Sequence, residues 1–168
     1  MEKSSLGQAG VKGKLIAEIK KLVESKNTLQ LATVDENGKP NASYAPFVSC
    51  DDGYYILISE MARHAQNILI NPTVSLMVIE DESQADCLHS RKRLTLDATA
   101  ILISTETERW SEVTKVMIEK LGETVKTLVQ LSDFHLIHLQ PEQGLYVKGF
   151  GKAHHVAFNE LFNPVVVD

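Results

Sequence analysis

Ser59, Arg63 and His64 are spaced like the start of a helix that can hold an anion. Serine is a good N-cap, so Ser59 predicts a helix over residues 60–70, ended by Asn71-Pro72. Arg63, His64 and Asn67 then fall in its first turns, where unpaired backbone N–H groups and the helix dipole favour a phosphate or carboxylate. Met61, Ala65, Ile68 and Leu69 are expected to bury the opposite side. The same spacing also describes an ordinary solvated helix face.

A second basic group, Arg91-Lys92-Arg93, opens an alternating run. Alternation sends Arg91 and Arg93 to one side and Lys92 to the other, so the two arginines could join Arg63 in a local positive pocket. Basic residues at a strand entry also serve as edge protection. His135 and His138 lie three apart on a strand and point to opposite faces, so they cannot share a metal ion; His154 and His155 alternate likewise. Cys50 and Cys87 match no zinc or redox spacing and are expected to be reduced thiols. No Ser-His-Asp, paired-carboxylate or phosphate-loop signature is present, so chemistry is expected to come from a bound cofactor.

These residues need strands to position them. Residues 28–34 alternate like a half-buried strand, and Asp35-Glu36-Asn37-Gly38-Lys39-Pro40 supplies a turn, with Asn-Gly tolerating positive φ. Residues 41–48 form a second strand, and the apolar run 54–58 a third that ends at Ser59. Residues 74–79 make a fourth, followed by an acidic loop over 80–86. Residues 91–103 alternate strictly, with Leu94, Leu96, Ala98, Ala100 and Leu102 on one face. Residues 134–139 and 144–148 are two strands joined by a turn at Pro141-Glu142-Gln143-Gly144, and Gly149-Phe150-Gly151 bends the chain onward.

Leu15, Ile16, Ile19, Leu22 and Val23 recur at helical spacing and predict a helix over 11–26. Thr105 and Glu108 have capping-box spacing for another over 106–121. The fold class is therefore mainly β with helices: a closed or split β-barrel of six or so strands, because closure removes exposed edges. Residues 1–10 are expected to be disordered, 11–156 to form the barrel domain and 157–168 a C-terminal tail.

Composition narrows the partners. At 168 residues and 18.7 kDa a single domain is the economical reading. The 17 basic and 22 acidic side chains give a net charge of −5, which argues against nonspecific nucleic-acid binding. No apolar run approaches the roughly 18 residues of a membrane span, and no signal core opens the chain, so a cytoplasmic protein is expected.

Leu29-Gln30-Leu31-Ala32-Thr33-Val34, Gly38-Lys39-Pro40, the strand to Ser59, and Arg63 and His64 ahead of Asn71-Pro72 resemble the pyridoxamine 5′-phosphate oxidase-like split-barrel superfamily. Ser43-Tyr44-Ala45-Pro46-Phe47, Arg91-Lys92-Arg93-Leu94-Thr95 and residues 140–153 resemble its HutZ/HugZ haem-utilisation branch. The resemblance implies a six-stranded split β-barrel that forms a homodimer, with clefts between subunits that take FMN in many relatives and haem in this branch.

Carried over by position, Ser43, Tyr44, Ala45, Pro46, Phe47, Ser59, Arg63 and His64 correspond to the flavin-phosphate region, and His64, Arg93 and Asp133 to positions near haem. Arg93 would pair with a propionate and Asp133 would orient a proximal group or water. The implied activity is oxidative degradation of haem with an external electron donor. The alternatives are an FMN-dependent oxidoreductase and a haem carrier or storage protein. The branch places its iron-ligating histidine on a C-terminal tail, whereas residues 162–168 here hold none. Either the sequence is shortened or ligation differs, with His64, His154 or His155 as substitutes.

Overall fold

A computed structural model describes residues 3–162, with side chains from residue 11 onward. The elements follow in the order α1 (Lys3–Glu24), β1 (Thr28–Val34), β2 (Pro40–Cys50), β3 (Gly53–Ser59), α2 (Arg63–Ile70), β4 (Thr73–Ile79), β5 (Arg93–Ile103), α3 (Glu108–Leu121), α4 (Thr124–Leu128), β6 (Phe134–Gly149), β7 (Lys152–Ala157) and α5 (Phe158–Leu161). The strands pair antiparallel in the order β3-β2-β1-β4-β5-β6-β7, and a further β3–β6 pairing closes the first six into a barrel. Six strands make the wall, as the sequence implies, and β7 is appended to the outer half of β6.

Period-two burial explains the wall. Leu29 and Leu31 of β1, Val74, Leu76 and Val78 of β4, and Leu94, Leu96 and Ala98 of β5 point into one core. Ile19 and Val23 of α1, Ala65 and Ile68 of α2, and Leu161 of α5 pack against it. β3 does not alternate, because α3 and α4 cover its other side. Tyr54, Ile56 and Ile58 enter the barrel, whereas Tyr55 joins Val48, Val113, Met117, Val125 and Leu136 in a second core. Buried on both faces, the strand is a continuous apolar run.

Several sequence expectations shift. The helix expected over 11–26 is the 22-residue α1, which takes in residues 3–10 of the segment assigned to disorder. Thr107, not Thr105, caps α3, its hydroxyl accepting from Trp110 N at 3.2 Å. The expected turn at Pro141–Gly144 does not separate two strands: β6 runs unbroken for 16 residues. Between the pairs Leu96↔Gly144 and Ala98↔Pro141, β6 holds two residues where β5 holds Asp97 alone. Glu142 and Gln143 form the bulge, and Pro141, which has no N–H for the ladder, flanks it in register with Ala98. Leu102, expected on one face with Leu94 and Leu96, is 52% exposed where those two are buried. The tail assigned to 157–168 begins with the end of β7 and α5, and residues 163–168 lie outside those described.

Candidate anion and cofactor site

The turn between β3 and α2 sets the site. Ser59 does not cap the helix as its type suggests. Its Oγ donates to Asp133 Oδ2 at 2.6 Å and accepts from Met61 N at 3.2 Å, while Glu60 N donates to Asp133 O at 2.8 Å. Residues 59–62 are thereby clamped to the start of β6, and α2 begins at Arg63, with Ala62 at its N-cap offering no side-chain bond. His135 Nε2 also contacts Glu60 Oε1 across the same junction. The backbone N–H groups of Arg63 and His64 thus occupy the first turn, with no hydrogen bond among the described residues.

Arg63 is half-exposed, its Nη2 3.7 Å from Asp35 Oδ2 in the β1–β2 turn. The Lys39 and Asn37 backbone N–H groups, at 2.9 and 3.0 Å, and the Arg63 charge together hold the Asp35 carboxyl below its usual range. His64 is half-buried, and burial pushes its pKa down, which favours the neutral imidazole. Asn67 leaves the site: it is 3% exposed and donates to Thr33 Oγ1 at 2.9 Å, pinning α2 to β1. Met61 and Leu69, expected to be buried, are exposed, Met61 by 84%. Ala65 and Ile68 are buried as expected, and Asn67 joins them on the buried face of α2.

β2 alternates across the barrel wall. Ala45 and Phe47 fill the core, Ser43 Oγ donates to Leu31 O at 3.3 Å, and Tyr44 and Pro46 face outward, Tyr44 being 67% exposed. β2 pairs β1 through Pro46 but meets β3 only from Phe47, so the wall opens beside Ser43–Pro46. This is the split in the barrel. It leaves one backbone edge of that segment outside the β2–β3 ladder.

Arg93 is not part of this cluster within one chain. It opens β5 opposite Ile79, whereas α2 leads into Thr73 at the other end of β4, about 20 Å away at the rise of a strand. Arg93 Nη1 donates to Arg91 O at 3.2 Å. Arg91 itself precedes the strand rather than projecting beside Arg93. Its guanidinium is taken up by Glu80 O and Glu82, so the expected three-arginine pocket does not form within one chain.

His138 stacks on Tyr55 at 4.5 Å and contacts Asp52 O at 3.0 Å, separate from His135 as alternation requires. Among the described residues no group of three or more His, Cys, Asp and Glu side chains is placed to hold a metal ion. None of three surface cavities of about 260, 300 and 380 Å³ is lined by Arg63, His64, Arg93 or Asp133. The Ser59–Asp133 clamp was invisible as a pair in the sequence, because its members are 74 residues apart with no local signal joining them.

The sequence profile of the pyridoxamine 5′-phosphate oxidase family matches residues 15–148. The chain belongs to that family. Within the pyridoxamine 5′-phosphate oxidase family it falls in the HutZ-like branch: it is 52% identical over 158 residues to the heme oxygenase HutZ of Vibrio cholerae, covering 94% of this chain and 90% of the relative. A crystal structure of Vibrio cholerae HutZ, described as a heme storage protein, superposes with a TM-score of 0.76 at 55% identity, covering 80% of this chain and 95% of that one. Campylobacter jejuni ChuZ superposes with a TM-score of 0.80 at 36% identity, over 86% of this chain and 60% of that one. Among the described residues no helix is long and apolar enough to cross a membrane.

Proposed function

We propose that this protein serves haem utilisation, binding haem in a cleft between two copies of the chain and promoting oxidative opening of the porphyrin. The observation that carries this reading is the 52% identity to a heme oxygenase across 94% of the chain. The site chemistry is compatible with it. His64 offers a half-buried imidazole kept neutral by burial, with no side-chain hydrogen bond among the described residues. Neutral imidazole is the form that ligates haem iron. Arg93 keeps guanidinium donors beyond its one bond to Arg91 O, enough for a carboxylate such as a propionate.

Asp133 uses Oδ2 on Ser59, and its other carboxylate oxygen remains to orient a proximal group or a water. The end of β4 that α2 leads into lies about 20 Å along the strand from Arg93. A homodimer supplies a way to bring one chain's Arg93 near the other's α2. Haem is the substrate here, and oxygen and an external electron donor supply the oxidation.

A second reading is an FMN-dependent oxidoreductase. Arg63, beside two free N–H groups at the start of α2, suits a phosphate, and the open edge of Ser43–Pro46 can present backbone to a flavin ring. A third is a haem carrier, consistent with the storage description of HutZ. Absorption spectroscopy separates them. Haem titration is expected to give a Soret band, and a reductant with oxygen to convert it to a biliverdin-like product. A Soret band without that product favours the carrier, and a flavin spectrum with no haem affinity overturns the proposal.

A further inference from the structure

Between α3–α4 and the barrel wall lies a cavity of about 300 Å³ that shares Pro46 with the candidate cofactor site and includes none of Arg63, His64, Arg93 and Asp133. Its lining is mostly apolar, led by Leu57, Met117, Leu121 and Val125, with Asn27, Thr28 and Thr124 as polar neighbours and Lys120 as its one basic residue. Lys120 Nζ donates to Lys26 O at 3.0 Å and lies 4.7 Å from the centre of the Phe47 ring. An ammonium carries three N–H donors, so this arrangement leaves hydrogen-bonding capacity unused. No carboxylate among the described residues pairs with it, and its acidic neighbour Glu24 acts from beyond ion-pair distance. Burial lowers the Lys120 pKa, the expected response of a desolvated cation with no carboxylate in contact.

We infer that this cavity is a binding site for an apolar monocarboxylate, its tail against the α3–α4 lining and its carboxylate on Lys120. Three features point to that class. The lining selects an aliphatic body, the unpaired ammonium selects an anionic end, and the volume lies at the small end of ligand sites. A whole porphyrin is too large for that space. The shared chemistry still has two sources, a free aliphatic acid or a propionate edge of haem, and the inference does not depend on haem being the substrate.

The test is calorimetric titration of the full chain with octanoate, with octylamine and octanol as matched controls. Octanoate is expected to bind one per chain and at least tenfold tighter than either control. Lys120→Met keeps the length and loses the charge, and should erase that preference. Since this variant also loses the bond to Lys26 O, Leu128→Trp provides a second arm: it fills the cavity while retaining Lys120, and should abolish octanoate binding with the thermal midpoint held. Equal affinity for the three ligands, no octanoate binding by the parent, or unchanged octanoate binding in Leu128→Trp overturns the site. Repeating the titration with haem bound separates the sources. Displacement of octanoate by haem, with haem affinity reduced in Lys120→Met, assigns the site to a propionate; simultaneous binding assigns it to a free acid. Loss of haem binding with octanoate binding intact would overturn the haem reading alone.

Discussion

Arg63 is held by an opposing charge rather than by packing: half of its side chain is exposed, and Asp35 approaches it at 3.7 Å. Arg63→Ala should therefore leave the fold intact. If the guanidinium makes a charge-assisted bond to a phosphate, FMN affinity should fall by roughly 1.5–3 kcal/mol, about ten- to hundredfold. Flavin-fluorescence titration reads this, and equal affinity in parent and variant rejects the role.

His64 gives a pH signature of opposite origin. Its folded pKa lies below the ordinary imidazole value of 6.5, so the unfolded chain takes up the proton first. The stability tied to its neutral form is present in full above 6.5 and is lost as pH falls to and through the depressed value. Denaturant midpoints of the parent and His64→Gln, compared at neutral and mildly acidic pH, should show the parent losing ground as pH drops. A constant difference removes that assignment.

At the scale of elements, β6 shows where sequence reading succeeds and where it stops. Thr28–Val34 is legible to the residue, because alternation and the Asp35–Lys39 turn agree. Pro141 and Gly144 signal a turn locally, yet the long-range pairing of β6 with β5 turns that signal into a bulge. Ser59 misleads for the same reason: its preference for an N-cap is overridden by Asp133, a partner 74 residues away. Arg63, His64 and Ser59 were recognisable by type, but the three-residue delay in the helix start and the burial of Asn67 depend on tertiary contacts.

Gly144 reports on the bulge directly. A Cβ there would collide with Leu96 Cδ2 and the Thr95 carbonyl oxygen, one of them backbone, so little relief is available. Gly144→Ala should cost about 1–3 kcal/mol by overpacking, or a few degrees in Tm for each kcal/mol in a chain of this size. Differential scanning calorimetry checks it. An unchanged Tm would mean the β5–β6 register slips at low cost.

At the scale of the whole molecule, the surface around the split asks for cover. Tyr44 faces outward beside the opening between β2 and β3, Met61 stands on the turn that leaves β3, and Leu69 and Ile70 are exposed at the far end of α2. The one-chain geometry also keeps Arg93 away from Arg63 and His64, so an interfacial cleft requires a second copy. Sedimentation velocity at micromolar concentration should give a species of about twice 18.7 kDa. Tyr44→Glu sets an unpaired charge in that surface while leaving the barrel core untouched, and should shift the protein toward monomer and weaken haem binding together. A monomeric parent removes the interfacial site outright. A Tyr44→Glu monomer that binds haem as tightly as the parent dimer would place the haem on a single chain instead, and Arg93 would then have no part in holding a ligand at the start of α2.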